Sequence, residues 1–353
     1  MLEMQSRRWL MATLILVAAA IGARAALTEL LRRYVNHVLS RDPRYEAHIG
    51  DVDMQLWKGA YEVEDVSIRK RGGNVPVPLF AAPRAEISIQ WNALLDGSLV
   101  GEIELDRPAV NVVAGPTPAH QQTGAGPDWR DALEKLVPFR LNRLTVRNGS
   151  LHFRNFHTRP KVDVYLDHID LVAENLTNSE ELSETRVARV ALQAVPMHAG
   201  LLLARATFDP YADLPTFDLD ASLTGLQLRD WNEFLRAYAG VDVESGTLRL
   251  YAELESEKGA FHGYLKPFFE SVQVFELKEL DEQSFLASAW ETVVGALTEA
   301  FEDHSHDRVA SRIPLGGSVR SPEIGFWGTL GSTLRNAFIE SLVPRLEQSV
   351  GEQ

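Results

Sequence analysis

The chain has 353 residues, of which 45% are hydrophobic and 24% charged, a composition typical of a folded protein with about two domains. Its 35 Lys and Arg and 49 Asp and Glu residues give a net charge of −14, which argues against a nucleic-acid partner because such binding needs a basic surface. Cysteine is absent, which excludes disulfides, thiol nucleophiles and cysteine-ligated zinc.

Residues 1–26 predict a single membrane anchor. Arg7 and Arg8 precede an uncharged apolar run, an arrangement that favours an N-terminus on the inner side of a membrane. Because the run is shorter than the about 20 residues of a full span, and Ala23-Arg24-Ala25 resembles a signal-peptidase site, a cleaved signal is the alternative. In both cases we expect the chain beyond about residue 40 to be exported. The anchor residues are Trp9, Leu10, Leu14, Ile15, Leu16, Val17 and Ile21.

An amphipathic helix is predicted over residues 27–45, as a continuation of the anchor. Apolar residues repeat there at i, i+3 and i+4, and Arg32, Arg33 and Asn36 occupy the other side. The body that follows, residues 46–325, predicts a mainly β fold: a long antiparallel, curled, groove-like sheet with a few amphipathic helices.

Strict alternation of apolar and polar residues is the evidence for the strands. Segments such as 84–91 and 247–254 present one apolar and one solvated face, as antiparallel strands do. The apolar positions are the candidate lining of a groove: Val52, Met54, Leu56, Ile87, Ile89, Val162, Val164, Leu166, Phe217, Leu219, Leu248 and Leu250.

Turn residues divide the predicted strands. We expect hairpin turns at Lys58-Gly59, Asn148-Gly149, Ser245-Gly246 and Lys258-Gly259. A change of phase at Glu64-Asp65 predicts a bulge. The stretch 114–128 is rich in Pro, Gly and Gln and predicts an exposed loop.

Helices are predicted near Asp230, over 281–301 and at the C-terminus, where residues 326–353 form an amphipathic helix and tail. The C-terminal helix is expected either to cap the open end of the sheet or to contact a membrane or another protein. Its apolar stripe consists of Trp327, Leu330, Leu334, Phe338 and Leu342.

Catalytic signatures are missing from the sequence, so we expect neither enzyme activity nor a cofactor. The cluster Glu302–Asp307 is interpreted as a solvated loop rather than a metal site. Carboxylates such as Asp218 and Asp220 share a strand face and are interpreted as its wet side. We also interpret His152 and His157 as surface residues.

Three motifs resemble the AsmA-like exported proteins of bacteria with outer membranes, in the branch described only as a domain of unknown function. They are G-T-L-x-L-Y-A-E at 246–253, G-Y-x-K-P at 263–267 and L-R-N-A-F-I-E-S-L at 334–342. The resemblance implies a single-pass inner-membrane anchor, a periplasmic β-rich body and a role in envelope integrity. Large members of that family are regarded as bridge-like proteins whose curled sheet holds phospholipid acyl chains.

Two functions fit these expectations. In the first, the chain binds or transfers phospholipids along an apolar β-groove, with the inner membrane and acyl chains as partners. In the second, it is a scaffold or assembly factor for outer-membrane proteins and contacts an outer-membrane or periplasmic protein. A sheet folded on itself around a closed core is the structural alternative to the groove.

The predicted anchor can be tested with a reporter that is active only in the periplasm. Alkaline phosphatase fused after residue 60 should be active and remain in the membrane fraction, because the positive residues hold the N-terminus inside. Activity in the soluble periplasmic fraction would mean cleavage near Ala25, and an inactive fusion would overturn the orientation.

Overall fold

The computed structural model describes residues 29, 33, 45–55, 59–89, 100–122, 140–176, 187–209, 214, 216–238, 241–277, 309–310 and 312–318. The predicted anchor, the helix over 281–301 and the C-terminal helix lie outside these residues. Within the predicted helix over 27–45, Glu29 and Arg33 are helical, and an ion pair joins Arg33 Nε to Glu29 Oε1 at 2.6 Å. Among the described helices, none has the length and apolarity that a membrane span requires.

The described residues form one large, mostly antiparallel sheet with few helices, which confirms the predicted mainly β class. The strands are β1 (Tyr45–His48), β2 (Val52–Gln55), β3 (Ala60–Lys70), β4 (Phe80–Ile89), β5 (Val100–Asp106), β6 (Ala109–Ala114), β7 (Arg140–Asn155), β8 (Val162–Glu174), β9 (Ala188–Pro196), β10 (Leu201–Phe208), β11 (Phe217–Gln227), β12 (Val241–Glu257), β13 (Ala260–Leu277), β14 (Val309–Ala310) and β15 (Ile313–Ser318). Helical turns occur at Pro118–His120 and Leu228–Trp231, and helix α1 spans Asn232–Tyr238.

The strand order is a meander with one interruption. It runs β1-β3-β4-β5-β7-β8-β9-β10-β11-β12-β13-β14, with β2 paired to β3, β6 paired to β4 and β7, and β15 paired to β13. Neighbours are antiparallel except that β7 runs parallel to β5 and β6. A parallel neighbour needs a crossover, and the connection between β6 and β7 is the long one over 115–139.

Residues with left-handed backbone lie at the same level on successive long strands. Asp65 in β3 has φ 51°, Arg107 between β5 and β6 has φ 47°, Asn148 in β7 has φ 52° and His168 in β8 has φ 49°. The pairs on either side of the β5/β6 junction show that Arg107 stands opposite Asn148. We call this row of Asp65, Arg107, Asn148 and His168 the crease. Strands β11 to β13 have similar interruptions at Gly225, Gly246 and Ser271.

Two predicted hairpin turns are therefore wrong. Asn148-Gly149 lies inside β7 and Ser245-Gly246 inside β12, because residues that tolerate positive φ also serve strand irregularities. The Lys258-Gly259 hairpin is confirmed, with φ 48° and 82° between β12 and β13. Gly59, with φ 62°, lies in the turn before β3, and Asp65 is the predicted change of phase.

Two other local predictions differ from the structure. The helix predicted near Asp230 is α1, but it begins at Asn232, and Asp230 lies within the turn at Leu228–Trp231 that precedes it. In the described part of the predicted loop, Gln122 is buried and forms an isolated bridge with Val113, since its backbone exchanges hydrogen bonds with that residue.

Buried apolar residues form three separate clusters. The first joins β11, β12, β13 and α1 around Leu226, Leu235 and Phe269. The second contains Phe208, Phe217, Leu254, Phe261 and Leu315, and the third contains Ile49, Val52, Val63 and Ala85. In the described sheet, fully buried apolar residues are thus grouped at separate places along the sheet rather than in one continuous core.

The crease makes a prediction about Gly149. A Cβ at this position would meet Val146 Cγ1 at 2.9 Å and Pro108 Cγ at 3.3 Å, and neither side chain can easily move. Gly149→Ala should therefore lower the free energy of unfolding by about 1–3 kcal/mol, as overpacking does. Ser150→Ala, one residue on, is the matched control and should change stability little. Equal denaturation midpoints for the two variants would contradict this account.

Candidate functional site

One face of the sheet is apolar from edge to edge. The register shows this directly in the middle strands, where Leu171, Leu192, Ala204, Ala221 and Ala252 are cross-strand partners in succession from β8 to β12. Neighbouring rows repeat the pattern. Members of this apolar face are Val52, Val63, Val66, Ala82, Ala85, Ile87, Ile103, Leu105, Leu144, Val146, Leu151, Phe153, Val162, Val164, Leu166, Ile169, Leu171, Ala173, Val190, Leu192, Leu202, Ala204, Ala206, Leu219, Ala221, Leu223, Leu248, Leu250, Ala252 and Leu254.

Charged side chains are rare on the apolar face in the described residues. Lys70, at the end of β3, is on this face by register, and its Nζ donates to Gln121 O at 2.7 Å. The polar members of the face include Asn155, Ser256 and Tyr61. Asn155 and Ser256 are buried, and burial raises the pKa of Tyr61 to about 12 because the phenolate would lose its hydration. The surroundings of Tyr61 are thus those of an apolar site.

The predicted lining residues are brought together by the register on this face. Val52, Val162, Val164 and Phe217 are buried, whereas the others with described side chains, Ile87, Leu166, Leu219, Leu248 and Leu250, are half-buried. Met54 and Ile89 hold the matching register positions, opposite Tyr61 and Gly101. Leu56 lies outside the described residues.

Several large side chains of the apolar face are only partly buried. Between the buried clusters, Leu171, Leu192 and Leu250 stay half-buried, and Leu151 is 37% exposed. Large aliphatic side chains in that state leave apolar area open to a further apolar partner.

The opposite face has cross-strand ion pairs. Arg84 Nη2 donates to Glu62 Oε2 at 2.7 Å, and Arg143 Nη1 lies 2.8 Å from Glu174 Oε1. Arg147 Nε donates to Glu104 Oε1 at 2.5 Å, and this carboxylate raises the pKa of the arginine. These pairs are exposed and add little stability, but they show that this face is the solvated one.

Helix α1 lies over the apolar face at one end of the strands. Phe234 and Tyr238 contact Phe153 of β7, with ring centroids 6.2 and 6.0 Å apart. Asn155 Nδ2 donates to Tyr238 Oη at 2.7 Å, which pairs one of the polar groups of the apolar face. Burial raises the pKa of Tyr238, in keeping with this enclosed position.

His152 is less exposed than the sequence suggested. Its side chain is 18% exposed, and its Nδ1 lies 2.8 Å from Asp163 Oδ1. Arg154 Nε donates to Asp163 Oδ2 at 2.9 Å, and Arg154 also contacts Asn111. Residues from β6, β7 and β8 form this network, so sequence spacing alone could not show it.

Metal chemistry has no candidate in the described ranges, where no group of three or more His, Asp or Glu side chains could hold an ion. The cluster Glu302–Asp307 lies outside them. No protein-family model matches the chain and no curated protein matches it, so the geometry of the two faces is what supports a function.

Charged substitutions on the two faces should separate an accessible apolar surface from a closed core. Leu250→Asp should leave the protein folded with a moderately lower melting temperature, because a half-buried carboxylate keeps part of its hydration. Leu254→Asp should unfold it, since Leu254 is 2% exposed.

Tyr251→Asp is the matched control, next to Leu250 in β12 but on the solvated face, and should melt like the unmodified protein. Circular dichroism melts decide the outcome. Collapse of the fold in both Leu250→Asp and Ile87→Asp would favour a sheet closed around a dry core.

Proposed function

We propose that this chain is a non-enzymatic protein, anchored in the inner membrane with its body in the periplasm, that binds or transfers phospholipids and supports envelope integrity. The observation that carries the proposal is the apolar face, which has few charged side chains across the described sheet and is half-buried in its middle rows. The resemblance of three motifs to AsmA-like proteins supports the compartment and the kind of ligand.

Burial of methylene groups supplies the driving force. Exposing an acyl chain to water costs about 0.8 kcal/mol for each methylene. A chain lying along the apolar face is shielded on one side, while its headgroup extends into water and stays hydrated. The cost of drawing a lipid out of a bilayer falls with each methylene that the face covers.

The sheet is long enough to cover an extended chain. Twelve strands follow one another in its main path, and eleven spacings of about 4.8 Å give about 53 Å. Acyl chains that lie across successive strands would cross Leu and Ala side chains, as in the row from Leu171 to Ala252.

The proposal predicts that phospholipid stays with the protein. Full-length protein extracted in mild detergent should retain phospholipid, measured by mass spectrometry of the organic extract. Ile87→Asp should lose most of it, because a carboxylate on the apolar face would have to be desolvated beneath the chain.

Ser88→Asp, the neighbouring position of β4 on the solvated face, should retain lipid as the unmodified protein does. Absence of lipid from the unmodified protein, or equal retention by both variants, would contradict the proposal. Recovery of a stoichiometric protein partner in place of lipid would favour the scaffold function instead.

A further inference from the structure

We propose that the crease bends the sheet so that its apolar face becomes concave, and that Asn148 and His168 are the positioning residues of this bend. Strand register, burial and close contacts around the crease support the bend. Its consequence for lipid binding rests on the proposed function, since a concave face encloses more of an acyl chain than a flat one.

The interruptions are aligned across neighbouring strands. The β4–β5 register continues into β4–β6 without a slip, and β7 pairs with β5 and β6 in one continuous parallel register around the crease. Neighbouring strands therefore change direction at the same row, and their bends add together. Isolated bulges at scattered levels would cancel.

At the crease, the solvated side of each strand holds one more residue than the apolar side. At the crease, two consecutive residues belong to the solvated face: Glu64 and Asp65 in β3, and Arg147 and Asn148 in β7 are exposed. The flanking apolar residues are consequently three apart instead of two, as Val63 and Val66 are. The extra residue lengthens the solvated side of the strand. The strand therefore curves toward its apolar side, and the solvated face is convex.

Crowding on the apolar side supports the same direction of bend. A Cβ at Gly149 would come within 2.9 Å of Val146 Cγ1, although the two residues lie on either side of the crease in one strand. Same-face neighbours along a regular strand do not approach so closely. Side chains flanking the crease thus converge over the apolar face.

Polar contacts hold the crease from the outside. Asp170 Oδ1 accepts a hydrogen bond from the Asn148 backbone N at 3.0 Å, and His168 Nδ1 lies 2.8 Å from Asn148 Oδ1. Asn tolerates the left-handed conformation, whereas a β-branched residue strongly disfavours it. Pro83 and Pro108, which have no N–H to donate to a ladder, border the same row.

The test measures the bend and the binding separately. Because the chain has no cysteine, spin labels can be attached at Lys161→Cys and Glu174→Cys alone. Pulsed electron paramagnetic resonance then measures the distance between the two labels, which lie at opposite ends of β8. The double variant Asn148→Val/His168→Val should lengthen this distance toward the about 44 Å that thirteen steps of about 3.4 Å give in a straight strand. The matched variant Asn148→Gly/His168→Gly should keep the original distance, since glycine accepts positive φ.

Binding is then measured with a fluorescent phospholipid. The valine variant should bind at least tenfold more weakly and the glycine variant within twofold of the unmodified protein. An unchanged distance in a folded valine variant, or equal loss of binding in both variants, would overturn the inference. If the valine pair does not fold, His168→Val alone is measured in the same way. Failure of the unmodified protein to bind would refute the proposed function, while the distances still decide the bend.

Discussion

A sheet with an uncharged face is stable in water only when something apolar covers that face. The described residues form fifteen strands, whereas the helical cover that they place on this face is the short helix α1. Burial is accordingly patchy: three clusters are closed, and the rows between them are half-exposed. The need to cover the remaining apolar area is the constraint from which the lipid proposal follows.

The crease and α1 both act on this constraint. In the proposed bend, the crease brings the two halves of the apolar face toward each other and so reduces the apolar area exposed to water. Helix α1 covers the face at one end, where Tyr238 also pairs Asn155. Ion pairs such as Glu104–Arg147 lie on the solvated face. One side of the sheet is thus exposed to water, and the other presents apolar side chains.

Local patterns in the sequence were enough to predict the strands and their apolar side. Alternation has a period of two in any strand, so Val162, Leu219 and Leu250 could be assigned to one face before their partners were known. The hairpin at Lys258-Gly259 was predictable because a Gly-containing turn stands between two alternating segments. Asn148-Gly149 was not, because the residues that favour a tight turn also favour a left-handed position within a strand.

Features that depend on several strands could not be predicted in this way. The crease requires the register that sets Arg107 beside Asn148, and the network around His152 requires β6, β7 and β8 together. The parallel pairing of β7 with β5 and β6 also escapes prediction, because alternation within a strand does not tell which strands pair or in which direction. Residues far apart in sequence meet in each case.

Lipid photo-crosslinking in intact cells tests the central claim most directly. A benzoyl-phenylalanine placed at Leu250 lies on the apolar face, and one placed at Tyr251 lies next to it on the solvated face. The account predicts a phospholipid adduct at Leu250 and none at Tyr251. Equal adducts at both positions, or crosslinks from Leu250 only to residues of the same chain, would contradict it.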